Sequence, residues 1–199
     1  MKELIKNATT ILLITLLFAA LPTDAEGKIY EDTVRLHILA NSDSAEDQQL
    51  KLEVRDYILA EYGPRLGSQG NIDQAKAEIE SLLDEIRDFA KRKVAELGYS
   101  YDVRAVMDDE WYETREYEGF SLPAGYYCSL KIIIGEGNGK NWWCVMYPPL
   151  CTEIATEAAP ADDGLIDYSK EEILLIKSGK YNIKFKILED LSRLFTKNS

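Results

Sequence analysis

The chain holds one histidine and three cysteines, the residue types that most often supply nucleophiles, general bases and metal ligands. Catalysis by a Cys–His or Ser–His pair would have to use His37, which lies in an alternating stretch typical of a β-strand. One histidine and dispersed cysteines offer no metal-chelating spacing. We therefore predict no metal, no cofactor and no catalytic residue. The alternative is an exported hydrolase that pairs His37 with Cys144 or Cys151.

The cysteines are better suited to a disulfide. If Ile134 pairs with Trp142 in a hairpin, Cys128 lies ~13 Å from Cys144 at ~3.3 Å per residue. A disulfide requires Cα atoms within ~7 Å, so this pair is excluded. A Cys144–Cys151 bridge would close the corner after the strand and contribute ~2.5 kcal/mol. A Cys128–Cys151 bridge and three free thiols are the remaining alternatives, and export favours one bridge.

Residues 135–140, Gly-Glu-Gly-Asn-Gly-Lys, superficially resemble a phosphate-binding loop. Asn141 stands where such a loop needs Ser or Thr, and the segment joins two predicted strands instead of a strand and a helix. We predict a hairpin loop. The acidic groups at 43–47 and 162–163 lack the ligand spacing of a calcium loop, so we predict helix caps and solvated loop there.

Period-two alternation predicts the strands. Residues 33–40 form the first, whose alternate side chains face opposite sides: Val34, Leu36 and Ile38 against Arg35 and His37. A hairpin is predicted within 99–117, turning at 108–110, and a second pairs 126–134 with 142–147. Trp142 and Trp143 must then point to opposite faces of the sheet.

Helical periodicity occupies the rest of the chain. A capping box at 44–47 opens a helix that we expect to end at Gly63-Pro64, with a buried stripe of Leu50, Val54, Tyr57 and Ile58. The longest helix starts after the N-cap Asn71, runs roughly 40 Å and ends near Gly98. Another capping box opens a short helix at 169–179, and a C-terminal amphipathic helix is predicted from Asn182.

The first 25 residues differ from the rest. Two lysines precede a mostly apolar run at 8–21, and small residues follow at 23 and 25. This run is shorter than the ~20 residues that span a bilayer, so we predict a cleaved secretory signal over an uncleaved anchor, with transient membrane association through this segment. The formal net charge of −12 disfavours nucleic acid and anionic lipid, and favours a partner with a basic face.

These patterns predict an α+β fold: an antiparallel sheet of about five to six strands, packed by long helices, with a C-terminal helix. We expect a signal segment at 1–25 and a single domain at 26–199, with an acidic loop near 152–168.

Three segments, in the same order behind an export signal, closely resemble one family. They are Arg-Leu-His-Ile-Leu-Ala-Asn-Ser-Asp-Ser at 35–44 with its continuation to Lys51, Leu-Pro-Ala-Gly at 122–125, and the run from 133 to 151 that contains Trp-Trp-Cys-Val-Met-Tyr-Pro-Pro-Leu-Cys. From about residue 29 to 195, the chain resembles stage II sporulation protein R.

The resemblance implies a signalling protein of endospore-forming bacteria, exported from the forespore into the space between the forespore and mother-cell membranes. It implies activation there of a membrane-embedded aspartic protease, which matures a sigma-factor precursor. It supplies no binding residues. Because they are singular in the sequence, we predict that Asn41, Asp43, Lys140, Trp142 and Trp143 contact the partner.

Overall fold

The computed structural model describes residues 2–20, 24–67, 70–117, 120–150 and 168–178. The helices in this part of the chain are α1 (Lys2–Ala20), α2 (Asp24–Glu31), α3 (Ala45–Gly67), α4 (Ile72–Glu96) and α5 (Lys170–Ser178). The strands are β1 (Val34–Leu39), β2 (Val103–Tyr112), β3 (Arg115–Tyr117), β4 (Phe120–Leu122), β5 (Gly125–Ile134) and β6 (Asn141–Tyr147). The fold is α+β, as the sequence predicts.

Four strands form a mixed sheet in the order β2-β5-β1-β6, and β3 pairs with β4 in a separate two-stranded sheet. β1 runs parallel to β5 and antiparallel to β6, while β2 and β5 are antiparallel. The expectation of one antiparallel sheet of five to six strands is therefore wrong in its pairing. β1 is an inner strand between β5 and β6, and its first five side chains are all buried because both faces of the sheet are covered there.

The predicted hairpin between β5 and β6 is wrong, because β1 lies between these two strands. Ile38 pairs with Ile132 on one side and with Trp142 on the other, so Ile134 does not face Trp142. The connection at 135–140 spans two strand spacings, roughly 10 Å. It crosses the end of β1, where Asn138 and Gly139 donate backbone hydrogen bonds to the carbonyls of Asn41 and Ala40.

The other predicted hairpin also fails, because residues 108–110 continue a strand and do not turn. β2 runs unbroken for ten residues and pairs along its whole length with β5. Acidic residues have low intrinsic strand propensity, which favoured a turn at this point. The long register with β5 overrides that local preference, and the reversal lies instead in the β3–β4 region.

α3 and α4 cover one face of the sheet, as the amphipathic patterns predict. The core between them and the sheet is built from aliphatic side chains of every layer, including Leu36, Ile38, Val54, Ile79, Ile86, Leu130 and Ile132. Asn71 caps α4 by accepting a hydrogen bond from the Gln74 backbone, and Gly98 after the helix has φ of 89°, which confirms both predicted ends.

α3 departs from its prediction at its end. Its capping residue Ser44 accepts a hydrogen bond from the Asp47 backbone as expected. The helix nevertheless passes through Pro64 to Gly67, and this extra turn inserts Leu66 fully into the core. Burial of a leucine offsets the backbone hydrogen bond that a proline cannot make. Tyr57, expected in the buried stripe, is instead 38% exposed.

A second core lies on the opposite face of the sheet, at one end only. α2, α5 and the β3–β4 pair cover that end, around a set of largely aromatic and aliphatic side chains: Ile29, Tyr112, Phe120, Leu122, Tyr127, Val145, Leu150, Tyr168 and Ile176. α5 begins with the predicted capping box, in which Ser169 and Glu172 exchange hydrogen bonds. The remainder of this face is left for the cleft described below.

Several predictions concern residues at or beyond the limits of the structure. α1 carries exposed apolar side chains, including Leu4, Ile5 and Ile11. No helix in the described ranges is both long and apolar enough to cross a bilayer. The acidic loop at 152–168, apart from Tyr168, and the helix expected from Asn182 lie outside the described residues, so both stay predictions.

Candidate functional site

His37 lies in the centre of the sheet face that faces away from the long helices. Its neighbours across the strands are Lys131 on β5 and Trp143 on β6. Glu110 reaches across from β2, with Oε2 2.7 Å from His37 Nδ1 and Oε1 3.1 Å from Lys131 Nζ. Three strands thus meet in one His–Glu–Lys cluster, which no local sequence spacing would place together.

Glu110 is an ionised hydrogen-bond acceptor in this cluster. Burial on its own would raise the pKa of the Glu110 carboxyl, but the hydrogen bonds and charges of His37 and Lys131 outweigh it and leave that pKa below its usual value. A carboxylate can only accept, so His37 Nδ1 carries the proton of this bond. When the ring is neutral, this bond fixes its tautomer and leaves Nε2 as a hydrogen-bond acceptor.

Aromatic and cationic side chains cover the imidazole. The Trp143 ring lies 5.5 Å from the His37 ring, and the guanidinium of Arg115 stacks 4.0 Å above Trp143. This arrangement encloses one side of a cleft of about 390 Å³. The cleft is lined by His37, Glu110, Trp111, Tyr112, Glu113, Arg115, Asn141 and Trp143.

Polar atoms in this cleft lack partners. His37 is only 4% exposed, and its Nε2 has no hydrogen-bond partner. Arg115 Nε and Asn141 Oδ1 are likewise buried and unpartnered. Buried polar atoms in native proteins are nearly always hydrogen-bonded, so three in one cleft indicate a place where another molecule can bind.

Arg35, a fully buried arginine, lies on the same face of β1 as His37. Arg35 donates from Nη2 to the Tyr117 hydroxyl at 2.7 Å and from Nε to the Cys144 carbonyl at 3.2 Å. Its guanidinium also lies 4.3 Å from the ring centre of Tyr112 and 5.2 Å from that of Tyr127. Burial raises the pKa of the Tyr112 hydroxyl, which keeps this group protonated. Arg35 therefore ties β1 to β6 and to the β3–β4 pair.

The predicted contact residues Asn41, Asp43 and Lys140 lie beyond the C-terminal end of β1. They belong to a network between residues 41–51 and 135–140, which we call the loop clasp. Asn41 Oδ1 accepts from the Glu136 backbone at 3.1 Å, and Asp43 Oδ1 accepts from the Lys140 backbone at 2.6 Å. The side chains of Asn41 and Asp43 thus hold the crossing loop, which includes Lys140, in place. Their predicted role in partner contact remains a prediction.

Asp47 organises the other half of the clasp. Its Oδ2 accepts hydrogen bonds from Asn41 at 2.8 Å and from Ser42 at 2.6 Å. Burial would raise the pKa of Asp47, but hydrogen bonds from Ser42, Asn41 and Tyr101 prevail and lower it. Lys51 then connects the helix to the loop by donating to the Lys140 carbonyl at 3.1 Å. Many of the polar residues in the run at 35–51 are therefore explained by hydrogen bonds that hold the fold together.

The two tryptophans lie on opposite faces, as predicted. Trp143 belongs to the His37 cleft, whereas Trp142 packs against the helix-facing core and lies 5.0 Å below the guanidinium of Arg55. Both are half-buried. Their predicted role in partner contact also stays a prediction.

The cysteines do not join His37. Cys144 packs in the helix-facing core, on the other face of the sheet, so a Cys144–His37 catalytic pair is excluded. Cys128 is a free thiol, which removes the Cys128–Cys151 alternative. Cys151 lies outside the described residues, and the Cys144–Cys151 bridge stays a prediction. Among the described residues, no cluster of three or more His, Cys, Asp or Glu could hold a metal ion.

Sequence reasoning missed Glu110, Arg115 and Lys131 as members of the site. Glu110 was assigned to a turn that does not exist, and the other two resembled ordinary surface charges. The pairing of β2 with β5 puts Glu110 and Tyr112 on one face of a longer strand, but the three acidic residues at 108–110 interrupt the alternation that would have shown this in the sequence.

Comparisons with known proteins agree with the family suggested by the sequence. The family model for stage II sporulation protein R matches residues 30–157. Stage II sporulation protein R of Bacillus subtilis is 34% identical over 167 residues, which cover 82% of this chain and 69% of that protein. No solved structure matches the chain. The chain therefore belongs to the stage II sporulation protein R family, and its role is in sporulation.

Proposed function

We propose that this protein is a non-enzymatic signal, exported from the forespore into the space between the two membranes, which activates a membrane-embedded aspartic protease in the mother-cell membrane. The activated protease would then process a sigma-factor precursor. The single observation that carries the proposal is membership of the stage II sporulation protein R family over most of the chain. The N-terminal helix with its exposed apolar side chains supports export.

The physical mechanism is differential binding. A silent protease becomes active when the exported protein binds its active state more tightly than its inactive state. A ligand that shifts an equilibrium from 1:99 to 99:1 needs roughly a 10⁴-fold preference. The net charge of −12 favours a partner segment with a basic exposed face, since opposite charges accelerate encounter at low ionic strength.

Reconstitution in a heterologous cell tests this proposal. The cell would express the protease, the sigma-factor precursor and this protein with its own N-terminal segment, and cleavage of the precursor would be followed on a gel. We expect cleavage only when all three are present and the protein is exported. A form without residues 1–25, retained in the cytoplasm, is the matched control and should give no cleavage. Absence of cleavage with exported, folded protein would refute the proposal.

The hydrolase alternative has one observation in its favour, the His37–Glu110 hydrogen bond, which orients an imidazole as a general base requires. The position of Cys144 on the other face counts against it. Replacing the catalytic aspartate of the protease separates the two functions. Cleavage should then stop if this protein is a signal, whereas persistent cleavage would favour a hydrolase.

A further inference from the structure

We propose that the His37 cleft is a binding site for the main chain of an extended peptide segment from a protein partner. The observation behind it is the set of three unpartnered polar atoms among the lining residues: His37 Nε2, Arg115 Nε and Asn141 Oδ1. The side chain of His37 is more than nine-tenths buried, so bulk water does not satisfy its free nitrogen. A ligand that pairs with these atoms removes the cost of leaving them unbonded.

The hydrogen-bonding character of these atoms defines the ligand. His37 donates to Glu110 from Nδ1, so in its neutral form the ring presents an acceptor at Nε2. Asn141 Oδ1 is a second acceptor, and Arg115 Nε is a donor. A peptide group carries one N–H and one C=O and can satisfy both kinds of atom. The carboxylates of Glu110 and Glu113 in the lining disfavour phosphate or carboxylate ligands.

The sheet topology favours main chain over an isolated side-chain amide. Asn141 and Trp143 project from β6, which ends the strand order, and no described strand pairs with its outer edge. An extended segment that crosses this edge onto the sheet face would bring successive peptide groups past Asn141 and then His37. The flat Trp143–Arg115 stack offers a planar surface against which a peptide group can lie.

Under the proposed function, the segment would belong to the part of the protease exposed between the membranes. This assignment of the segment to the protease rests on the proposed function. Peptide binding by the cleft does not rest on it. A measurement on the purified protein alone therefore separates a failure of this inference from a failure of the activator proposal.

The test uses nuclear magnetic resonance on the full-length protein with acetyl-tetra-alanine amide as the probe. His37 is the only histidine, so its ring nitrogen signals need no assignment by mutation. We expect a saturable shift of the Nε2 resonance and of the Trp143 indole signal. The same peptide with every backbone nitrogen methylated, which has no N–H donor, should cause no shift of Nε2.

Two variants complete the test. Asn141→Ala removes one acceptor and should weaken probe binding about fivefold, the effect of one lost hydrogen bond. Asn138→Ala is the matched control, because Asn138 is exposed in the adjoining loop and does not line the cleft. The proposal is overturned if neither peptide shifts Nε2, if both shift it equally, or if the two variants behave alike. Those outcomes would mean that water, or another segment of this chain, satisfies the three atoms.

Discussion

Glu110 determines what His37 can do. The carboxylate accepts a hydrogen bond from Nδ1, Lys131 shares the same carboxylate, and the opposite nitrogen of the neutral ring is left as an acceptor in the cleft. Without Glu110, the ring could take either neutral tautomer or turn within its pocket. One side chain from β2, two strands away in the sheet, therefore defines the chemistry of the only histidine.

Glu110→Gln should lower stability in a pH-dependent way. The folded-state pKa of Glu110 lies below its ordinary value, so its ionic contribution is present above the unfolded pKa and is lost as pH falls through the folded pKa. We expect a loss of about 1 kcal/mol in unfolding free energy at pH 7, since the pair is partly screened. The loss should shrink towards zero below about pH 4. Urea titrations at several pH values measure it.

Glu116→Gln is the control for this change, because Glu116 is exposed on β3 and belongs to no described ion pair. It should leave the unfolding free energy unchanged at every pH. A constant difference between wild type and Glu110→Gln from pH 7 to pH 3 would contradict the ionic explanation and indicate a packing effect.

The cysteines yield a second prediction at the scale of residues. If Cys144 pairs with Cys151, the unreduced and denatured protein should react with one equivalent of a thiol reagent, which labels Cys128. Burial raises the pKa of the Cys128 thiol, so the same reaction should be slow in the folded protein. Cys128→Ser should leave no reactive thiol. Three reactive thiols in protein that has never been reduced would rule the bridge out.

At the scale of elements, the sequence predicted what is periodic and local. The stripe of α4 and both of its ends are correct, because amphipathic spacing and caps depend on residues within a few positions of one another. The place of β1 between β5 and β6 is not local. Alternation in β5 and β6 was visible, but nothing in those strands reveals that a third strand from the N-terminal half separates them.

In the candidate site, too, the sequence predicted single residues but not the contacts between distant strands. His37 and Trp143 were singled out because they are rare residue types, and the structure places both in one cleft. Glu110 and Arg115 join them through the β2–β5 register and the β3–β4 pair, which are tertiary features. The loop clasp explains why Asn41 and Asp43 seemed distinctive: each is required by a backbone amide of a loop far away in the chain.

Gly139→Ala should destabilise the loop clasp. A Cβ at this position would collide with the Ser42 carbonyl oxygen and lie 3.0 Å from Ala40 Cβ, so the backbone must move. We expect a loss of about 2–3 kcal/mol, the range of overpacking and backbone displacement. The shift of the urea midpoint gives the value.

Gly27→Ala provides the comparison within a helix. No atom lies within 4 Å of a Cβ at Gly27, and alanine has the higher helix propensity, so this variant should be neutral or more stable by up to about 1 kcal/mol. Equal effects of the two substitutions would show that the clasp does not restrict the loop at Gly139.

At the scale of the whole molecule, the N-terminal helix is distinct from the packed part. Side chains on α1 such as Leu4, Ile11 and Ile14 are 77%, 64% and 49% exposed, and none belongs to either core. Deleting residues 1–20 should therefore leave the urea midpoint unchanged while abolishing precursor cleavage in the reconstituted cell. A large drop in the midpoint would mean that this segment is part of the folded structure.

The position of β1 between β5 and β6 also determines when the sheet can assemble. In a chain that emerges from its N-terminus, β1 comes first, yet both strands that pair with it come from residues 125–147. Contacts so distant in sequence form late and slowly. Under the proposed export, a chain of this topology would stay unfolded while most of it is still passing through a narrow channel, and it would become compact only once its last strands had arrived on the far side.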